Sequence, residues 1–386
     1  MGRDERASVV VVGAGAVGLA VALQLGRAGV ADVVVLDRNA SPGMGSTCRA
    51  NGGVRAQFTT PINIEFSRFT IRELRALHEE TGGQVGFRPI GYLFMTGTAE
   101  GAAALRRAWE LQRSLGVAVE WLEPDDVAEI APFVNTEGLR AGTFFDGDGI
   151  IDPSGVVSAL SDAARRLGVS VRCDTAMIDI TGSGGHPVVH TTRGDIDADH
   201  VVNAAGPFAR AVAATAGIDL PVTPRRRNLA CTEPVAGMPD PIPMCVDNDT
   251  GVLIRREAGG FLVGYSDPHD PESMETGFDP AFLDVIARRV GHRFPFLEDV
   301  PINARKCWAG LYPETPDHHA IVDAPSGAPW FIQCVGFGGH GIMHSLAAGQ
   351  AVAELVSQGR CTTFDLHALR LDRFDEPGGT VETAVL

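Results

Sequence analysis

The pattern of apolar and polar residues at the start of the chain predicts a strand, a glycine turn, a helix and a second strand. Four valines at 9–12 run directly into Gly-x-Gly-x-x-Gly at 13–18. The stretch 19–28, rich in alanine and leucine, predicts a helix, and the apolar residues 33–36 predict a buried strand that ends at Asp37. This order of elements, followed by an acidic residue, is typical of a dinucleotide-binding unit.

Later segments alternate between helical and strand patterns. The helical patterns cover 61–81, 99–115, 152–167, 279–294 and 345–357. The strand patterns cover 91–96, 169–172, 176–180, 188–192 and 201–203. Residues 221–268 show short strands and turns without a long helix. Because helix-bearing segments fall at the start, middle and end of the chain, with β-rich segments between them, we expect an α/β domain interrupted by an inserted domain.

Length, composition and charge narrow the class of protein. The chain has 386 residues, of which 45% are hydrophobic, and a formal net charge of −16. This length suits two domains with a large core, and this acidity argues against nucleic acid and anionic membranes as partners. The apolar stretch 9–25 is broken by three motif glycines, and no other segment has about 18 uninterrupted apolar residues. We therefore expect no signal peptide, no membrane span and a cytoplasmic protein.

The spacing of cysteines and histidines predicts no metal site. The seven cysteines are scattered without a Cys-x-x-Cys pair and are interpreted as reduced thiols. His318 and His319 would point to opposite faces of a strand, and no third ligand follows at a useful spacing.

The basic run 225–227 is interpreted as a solvated strand edge.

The glycine turn has the residue types that a bound pyrophosphate needs. Gly13 permits the tight turn, Gly15 lets the backbone approach the phosphates, and Gly18 lets the helix pack on the strand. The helix N-terminus presents free N–H groups and the positive end of its dipole to an anion. Asp37, nineteen residues after Gly18, is placed to accept a hydrogen bond from a ribose hydroxyl.

Two later motifs distinguish between classes of dinucleotide. Residues 201–207, Val-Val-Asn-Ala-Ala-Gly-Pro, predict a strand that ends in small residues, which allow a ligand to approach closely. Residues 335–343, Val-Gly-Phe-Gly-Gly-His-Gly-Ile-Met, place four glycines just before the last helix and predict a second helix N-terminus at the ligand. An NAD-binding fold needs only the first motif, whereas a chain with all three looks like one that binds FAD in an extended form.

These motifs carry a resemblance to a known family. With Gly-Ser-Thr at 45–47, Gly-Gly-Val-Arg at 52–55 and Tyr-Pro-Glu-Thr-Pro-Asp at 312–317, the chain resembles the FAD-dependent amine and amino-acid oxidoreductases. These include D-amino acid oxidase, glycine oxidase and sarcosine oxidase, and the motifs are most similar to sarcosine oxidase β subunits and dye-linked proline dehydrogenases. The resemblance implies a doubly wound, Rossmann-like FAD domain with an inserted substrate domain built on a mixed or antiparallel sheet. The predicted FAD domain covers 1–85, 150–220 and 322–386, and the predicted substrate domain covers 86–149 and 221–321.

The resemblance also implies which residues contact the cofactor. Ser46 and Thr47 would contact the pyrophosphate and ribityl region, and the backbone at Met177 would hold the adenine. The glycine-rich loop would direct N–H groups, with His340 nearby, at the pyrimidine edge of the flavin. The full predicted set is Gly13, Gly15, Ala16, Val17, Gly18, Asp37, Arg38, Gly45, Ser46, Thr47, Arg49, Met177, Ala205, Gly206, Gly338, Gly339, His340, Gly341, Ile342 and Met343.

Departures from the family pattern predict non-covalent FAD. Relatives with covalent flavin attach it through a cysteine just before the Tyr-x-x-Thr-Pro-Asp stretch or through a histidine after Gly-Ser-Thr. This chain has Gly310 and Arg49 at those places, and Cys307 lies three residues too early to substitute.

The candidate catalytic residues are Arg55, Tyr312, Tyr265 and His340. Arg55 falls where sarcosine oxidase places an arginine on the substrate carboxylate, and a guanidinium matches a carboxylate with two parallel hydrogen bonds. The alternatives stay open: an ion pair for Arg55, and simple packing for the tyrosines and the histidine. Leu262 stands where sarcosine oxidase has a lysine that promotes reaction with oxygen, which favours a dehydrogenase.

Together these features predict an FAD-dependent oxidoreductase that oxidises the C–N bond of a carboxylate-bearing amine. N-methyl amino acids, imino acids and amino acids all remain open as substrates, and hydride transfer to flavin N5 would give an imine. The electron acceptor is oxygen or a redox partner, and homo- and hetero-oligomers both stay open. Two alternatives remain: an accessory or electron-transfer flavoprotein without amine oxidation, and an NAD(P)H-dependent flavin monooxygenase.

Overall fold

The structure, a computed structural model, describes residues 5–182 and 186–385. Residues 1–4, 183–185 and 386, which fall in the predicted FAD domain, lie outside the described residues. The helices are α1 (Ala16–Arg27), α2 (Pro61–Glu80), α3 (Ala99–Ser114), α4 (Pro124–Ile130), α5 (Pro153–Arg166), α6 (Ala209–Ala214), α7 (Phe282–Val290) and α8 (Gly341–Gln358). The strands are β1 (Glu5–Val12), β2 (Val33–Leu36), β3 (Gly53–Val54), β4 (Tyr92–Thr96), β5 (Glu120–Leu122), β6 (Ala141–Phe145), β7 (Gly149–Ile150), β8 (Ser170–Arg172), β9 (Met177–Thr181), β10 (Val188–Thr191), β11 (Gly194–Asn203), β12 (Thr223–Cys231), β13 (Met244–Asp247), β14 (Val252–Glu257), β15 (Gly260–Tyr265), β16 (Trp308–Glu314), β17 (Ile321–Asp323) and β18 (Phe331–Val335).

The first sheet is built around the valine strand at the start of the chain. Its strands lie in the order β17-β18-β11-β1-β2-β8, with β10 and β9 continuing from β11. β1 is parallel to both of its neighbours, with Val10 opposite Val34 on one side and Val201 on the other. A parallel strand inside a sheet is buried on both faces, which explains why residues 9–12 are continuously apolar rather than alternating.

Helices cover one face of this sheet, and β9 and β10, which continue from β11, pack against the other. Val9 and Val11 pack with residues of α1, α2, α5 and α8, whereas Val10 packs with residues of β9, β10 and β11. α1 and α8 lie so close together that a Cβ on Gly349 would be 2.6 Å from the carbonyl oxygen of Ala20. The N-termini of these two helices open on the same cleft.

The second sheet lies across that cleft. Its strands follow the order β16-β12-β15-β14-β13-β4-β6-β5, and β13 and β4 form its one parallel pair within the described residues. Val252 and Ile254 of β14 pack with residues of α7, whereas Leu253 between them packs with Tyr92 on the opposite side. We call this second side the inner face, because Tyr92 reaches Gly53 on the wall of the cleft.

The strands of the two sheets come from different stretches of the chain. The first sheet takes its strands from 5–36, 170–203 and 321–335, and the second takes its strands from 92–145 and 223–314. The α/β fold with a second, mixed sheet is confirmed. The distribution of strands supports the domain boundaries, which remain a prediction. Within the described residues, no helix combines the length and apolar character needed to cross a bilayer.

Several element bounds differ from those predicted, and three of them have a local explanation. α7 stops at Val290, because the following residues form turns rather than a further helical turn. α8 begins at Gly341, inside the glycine-rich loop, since tertiary packing overrides the poor helix propensity of glycine there. β11 begins at Gly194, because residues 194–197 pair with β10 and residues 196–203 pair with β1.

Candidate active site

A cleft between the two sheets joins the predicted motifs. It encloses about 620 Å³, with the glycine turn at one end, residues of the loops 44–53 and 336–342 along it, and β16 beside them. Gly18, His340 and Met343 do not line it. The predicted cofactor residues that line it are Gly13, Gly15, Ala16, Val17, Asp37, Arg38, Gly45, Ser46, Thr47, Arg49, Met177, Ala205, Gly206, Gly338, Gly339, Gly341 and Ile342.

Steric crowding explains the glycines of the turn. Gly13 has a φ of +111°, and a Cβ there would lie 2.4 Å from the carbonyl oxygen of Ala204. A Cβ on Gly18 would lie 1.9 Å from the carbonyl oxygen of Gly13, so α1 could not pack this close to β1. The N-cap Gly15 has no side chain to bond the first N–H groups of α1. The helix N-terminus is therefore a site for the phosphates of a dinucleotide.

Asp37 fixes the turn as well as lining the cleft. One carboxylate oxygen accepts a hydrogen bond from the backbone N–H of Ala14 at 2.8 Å. The other accepts from the backbone and side chain of Asn39 at 2.8 and 2.9 Å. The carboxylate has further lone pairs, so a ribose hydroxyl can be an additional donor. Beside it, the guanidinium of Arg38 stacks on Phe208, a wall residue that the sequence analysis missed, at 3.8 Å from the ring centroid.

At the far end of the cleft, the two positions through which some relatives attach flavin covalently hold Gly310 and Arg49, and neither side chain is a nucleophile. A Cβ on Gly310 would lie 3.1 Å from the Cβ of Arg49. The guanidinium of Arg49 donates to the carbonyl oxygens of Thr276 and Ala309, each at 3.4 Å. Its own carbonyl oxygen accepts from the indole N–H of Trp308 at 2.8 Å. Arg49 therefore ties its loop to β16, in addition to lining the cleft.

Arg55 lies just behind the cleft wall rather than on it. Its side chain is 1% exposed, and burial lowers the pKa of its guanidinium. One terminal nitrogen donates to the carbonyl oxygen of Gln57 and the other to that of Ala384. The guanidinium also stacks on Phe58, 3.9 Å from the ring centroid. The ion-pair alternative finds no support among the described residues, since these hydrogen bonds go to carbonyl oxygens.

A buried aspartate that the sequence analysis missed holds the segment that carries Arg55. Asp148 is fully buried and accepts from the backbone N–H of Ala56 at 2.7 Å and from the side chain of Gln57 at 3.0 Å. The Gln57 side chain also accepts from the hydroxyl of Thr143 at 2.9 Å. Burial raises the pKa of Asp148 to about 7. In the sequence Asp148 lies between two glycines, where a turn residue is the ordinary interpretation.

The two candidate tyrosines face opposite sides of the second sheet. Tyr312 is on the inner face, where its ring crowds Gly339 and lies 5.9 Å from the guanidinium carbon of Arg227. Tyr265 is on the outer face, packed beside the α7 cluster under the guanidinium of Arg289 at 3.9 Å. The structure therefore corrects Tyr265 as a candidate. Tyr92 takes its place, because it is buried on the inner face beside the cleft; burial raises its pKa, and also that of Tyr312.

His340 is a buried, neutral histidine beside the segment of Arg55. Its ring meets Phe58 edge-on at 4.9 Å, and within the described part of the chain its Nε2 has no hydrogen-bond partner. Burial first, and then the charge of Arg55, keep its pKa well below the usual value. Met343 is buried in the core of the first domain rather than in the cleft. His340 is thus near the site as predicted, but behind the cleft wall.

The basic run 225–227 is not a solvated edge, because β12 lies between β15 and β16. Arg227 is buried and bonds Glu314 at 2.7 Å and Asp270 at 2.5 Å. Arg225 lies 3.2 Å from the same glutamate. These ion pairs connect the strand of Tyr312 to the loop that follows β15. A charge run alone does not show whether its strand is internal, so this misassignment follows from missing register information.

The adjacent histidines do not form a metal site in the part of the chain that the structure describes. His318 has a φ of +59°, so the pair lies in a turn rather than on a strand. His319 is buried, with its Nδ1 3.1 Å from the carbonyl oxygen of Asp317 and its Nε2 3.2 Å from the hydroxyl of Thr60. Within the described residues, the seven cysteines form no disulfide.

Comparisons with known proteins agree with this geometry. A family model described as "DAO: FAD dependent oxidoreductase" matches residues 8–355. FAD-dependent oxidoreductase domain-containing protein 1 of Xenopus laevis is 30% identical over 96% of this chain and 83% of its own length. Mitochondrial dimethylglycine dehydrogenase of Rattus norvegicus is 28% identical over 96% of this chain and 45% of its own length. The crystal structure of L-proline dehydrogenase from P. horikoshii matches with a TM-score of 0.90 and 26% identity, over 97% of this chain and 99% of that one. The chain therefore belongs to the DAO family of FAD-dependent oxidoreductases, and FAD is the dinucleotide that its cleft fits.

Proposed function

We propose that the protein oxidises the C–N bond of an amine that carries a carboxylate. The observation that carries this proposal is the guanidinium of Arg55, which is buried two residues beyond Gly53 on the cleft wall. Among the described residues, its hydrogen bonds go to the carbonyl oxygens of Gln57 and Ala384. A buried guanidinium that directly bonds no carboxylate among the described residues can bind an anionic group. Dimethylglycine and proline, after which two relatives are named, are amines that carry a carboxylate.

The residues at this end of the cleft suit a substrate that binds as a free amine. Bound FAD supplies the hydride acceptor at its N5. Arg55 would hold the carboxylate, and Tyr312 would hydrogen-bond the substrate. Among the described residues that line the cleft, Asp37 at the nucleotide end is the one carboxylate. Among these residues no carboxylate base lies beside the amine. The lone pair of the neutral nitrogen would therefore form the C=N bond as the adjacent C–H bond breaks and its hydrogen leaves as hydride. Water then hydrolyses the imine unless it is cyclic.

The test of the activity is anaerobic bleaching of the flavin by matched pairs of amines. Sarcosine, dimethylglycine, proline and glycine are each compared with the same amine without its carboxylate. We expect bleaching by at least one carboxylated member, with a rate constant about tenfold or more above that of its partner. Equal rates within every pair would contradict the proposal.

Arg55→Ala tests the carboxylate contact directly. Loss of a charge-assisted hydrogen bond of about 1.5–3 kcal/mol should lower kcat/KM by roughly 10- to 150-fold for the carboxylated substrate. The matched carboxylate-free amine is the control, since its kcat/KM should not change. A change of about twofold or less for the carboxylated substrate would show that Arg55 does not bind it.

The electron acceptor is tested by readmitting oxygen to the bleached protein. Leu262 is fully buried on the inner face, where it packs with Leu229 and Cys231. Without a cation at this position we expect slow reoxidation by oxygen and fast reoxidation by an artificial acceptor dye.

No bleaching by any amine would favour the accessory flavoprotein, and bleaching by NADPH would favour the monooxygenase. The cytoplasmic location and the oligomeric state remain predictions.

A further inference from the structure

A strap formed by residues 376–385 runs back from the end of the described chain to the N-terminus of α2. Its backbone is attached beside the 312–317 motif, where the N–H of Glu382 donates to the carbonyl oxygen of Asp317 at 3.0 Å. Arg373, just before the strap, bonds both carboxylate oxygens of Asp317 at 2.8 and 3.0 Å. The strap is therefore fixed to the same motif that carries Tyr312.

The side chain of Glu382 fills a socket of hydrogen-bond donors. It is fully buried, and its carboxylate accepts from the Thr60 hydroxyl at 2.7 Å, the Asn63 amide at 3.0 Å and the backbone N–H of Thr59 at 3.1 Å. α2 has no acidic residue in its first turn, and the side chain of its N-cap, Thr60, makes no capping hydrogen bond. Glu382 thus supplies a negative charge that stabilises the N-terminus of α2.

The ionised form of Glu382 is held strongly in this socket. Burial alone raises the pKa of a carboxyl group, but the hydrogen bonds from Thr59, Thr60, Asn63 and the strap backbone outweigh burial here. The pKa of Glu382 is therefore below its usual value. A buried carboxylate with this many donors is a firm anchor for the residues around it.

The anchor places a carbonyl group against Arg55. The backbone N–H of Ala384 donates to the Glu382 carboxylate at 2.9 Å, which closes a tight turn. The carbonyl oxygen of Ala384 then accepts from one terminal nitrogen of Arg55, while Gln57 accepts from the other. The guanidinium is thus fixed at two points, one from its own loop and one from a segment more than 300 residues away.

We propose that Glu382 is a positioning residue, which holds the Ala384 carbonyl against Arg55 and so orients the guanidinium for the substrate carboxylate. This inference rests on the proposed function of Arg55. An arginine side chain has several rotatable bonds, and fixing it before the substrate arrives removes an entropic penalty from binding. The carbonyl dipole also stabilises a buried cation that bonds no carboxylate directly in the described part of the chain.

The test compares Glu382→Gln with Glu376→Gln, a matched change in the same strap. Glu376 is exposed and pairs with Arg370 at the surface, so its loss should have little effect. The probe is acetate, whose binding is followed by the change in the flavin absorption spectrum of the FAD-loaded protein. We expect the Kd for acetate to rise about tenfold in Glu382→Gln and to stay within about twofold in Glu376→Gln. For a carboxylated substrate KM should rise while kcat stays within about threefold.

A second variant changes a hydrogen-bond donor to Glu382 rather than Glu382 itself. Thr60→Val removes a donor to Glu382 without changing the strap, and it should weaken acetate binding in the same direction. An unchanged Kd in both variants, even with a lower Tm, would show that the strap is structural only. A lower Kd would show that the strap competes with the carboxylate, and would also overturn the proposal. Because acetate binding needs no turnover, wild-type protein that binds no acetate would instead contradict the proposed function.

Discussion

The two ends of the cleft are built in different ways. At the nucleotide end, the phosphate-binding turn consists of backbone N–H groups, glycines and one aspartate, which come from residues 13–37 of the chain. At the substrate end, Arg55 donates to the carbonyl oxygen of Ala384, and the segment that carries Arg55 is held by Asp148; both partners come from distant parts of the chain. The phosphate-binding turn is therefore a property of local sequence, whereas the substrate site exists only after both sheets and the strap have assembled.

This difference has a consequence for how each site tolerates change. Among substitutions, only proline removes a backbone N–H donor, so damage at the nucleotide end comes mainly through sterics. The substrate end depends on buried polar groups, whose removal leaves a partner unsatisfied. Steric changes should therefore have the largest effects at the first end, and changes of charge or hydrogen bonding should have the largest effects at the second.

The largest effect is expected for Gly18→Ala. Its Cβ would overlap the carbonyl oxygen of Gly13 at 1.9 Å, which forces α1 away from β1 and opens the phosphate site. We expect protein that purifies without FAD or fails to fold, measured by the ratio of flavin to protein absorbance. The control is Gly327→Ala, an exposed turn position in the same domain where a Cβ meets nothing within 4 Å. Normal FAD content in Gly18→Ala would refute the steric argument.

The next effect is a pH-dependent stability that arises from Asp148. Its folded pKa of about 7 lies above the usual value, so the folded protein keeps a proton that the unfolded chain has released. Stability is therefore lost as the pH rises from about 4 to about 7, by at most about 4 kcal/mol, and is constant above that window. Asp148→Asn should lack this loss. The measurement is the free energy of unfolding in denaturant at several pH values, and parallel profiles for the two proteins would contradict it.

The smallest effect is expected from the pair of tyrosines. Tyr312→Phe removes a hydroxyl on the inner face, and the loss of one hydrogen bond of about 1 kcal/mol should lower kcat/KM roughly fivefold. Tyr265→Phe removes a hydroxyl on the outer face and should leave kcat/KM unchanged. Steady-state kinetics with the amine that bleaches the flavin fastest provides the comparison. Equal decreases of kcat/KM in both variants would contradict the assignment of the inner face to substrate contact and of the outer face to packing.

The sequence was a good guide wherever the signal was local. The continuous valines of β1, the glycine turn and Asp37 lie within one short stretch, and their spacing is set by a single strand-turn-helix unit. The inner and outer faces of β15 were harder to predict. A strand of six residues alternates between two faces, but nothing in its own sequence says which face meets the cleft. Tyr265 was assigned to the cleft for this reason.

The rest of the substrate end carried no local signal at all. Glu382 lies in a polar segment after the last helix and Asp148 lies between glycines, and both have the residue types of ordinary surface loops. Each becomes functional through contact with the segment around Arg55, which is distant along the chain. The same holds for Arg227, whose partner Glu314 is identified only by the pairing of β12 with β16.

The close contact of α1 and α8 makes cofactor affinity depend on the interior of the protein. The two helices open on the cleft at the glycine turn and at the 336–342 loop, and Gly349 sets how closely their axes approach. The separation of these two anchor points is thus fixed by packing in the middle of the helices. Substitutions at this contact would change the span that a bound FAD must match without altering any residue that touches it. A search for affinity determinants confined to the cleft would miss them.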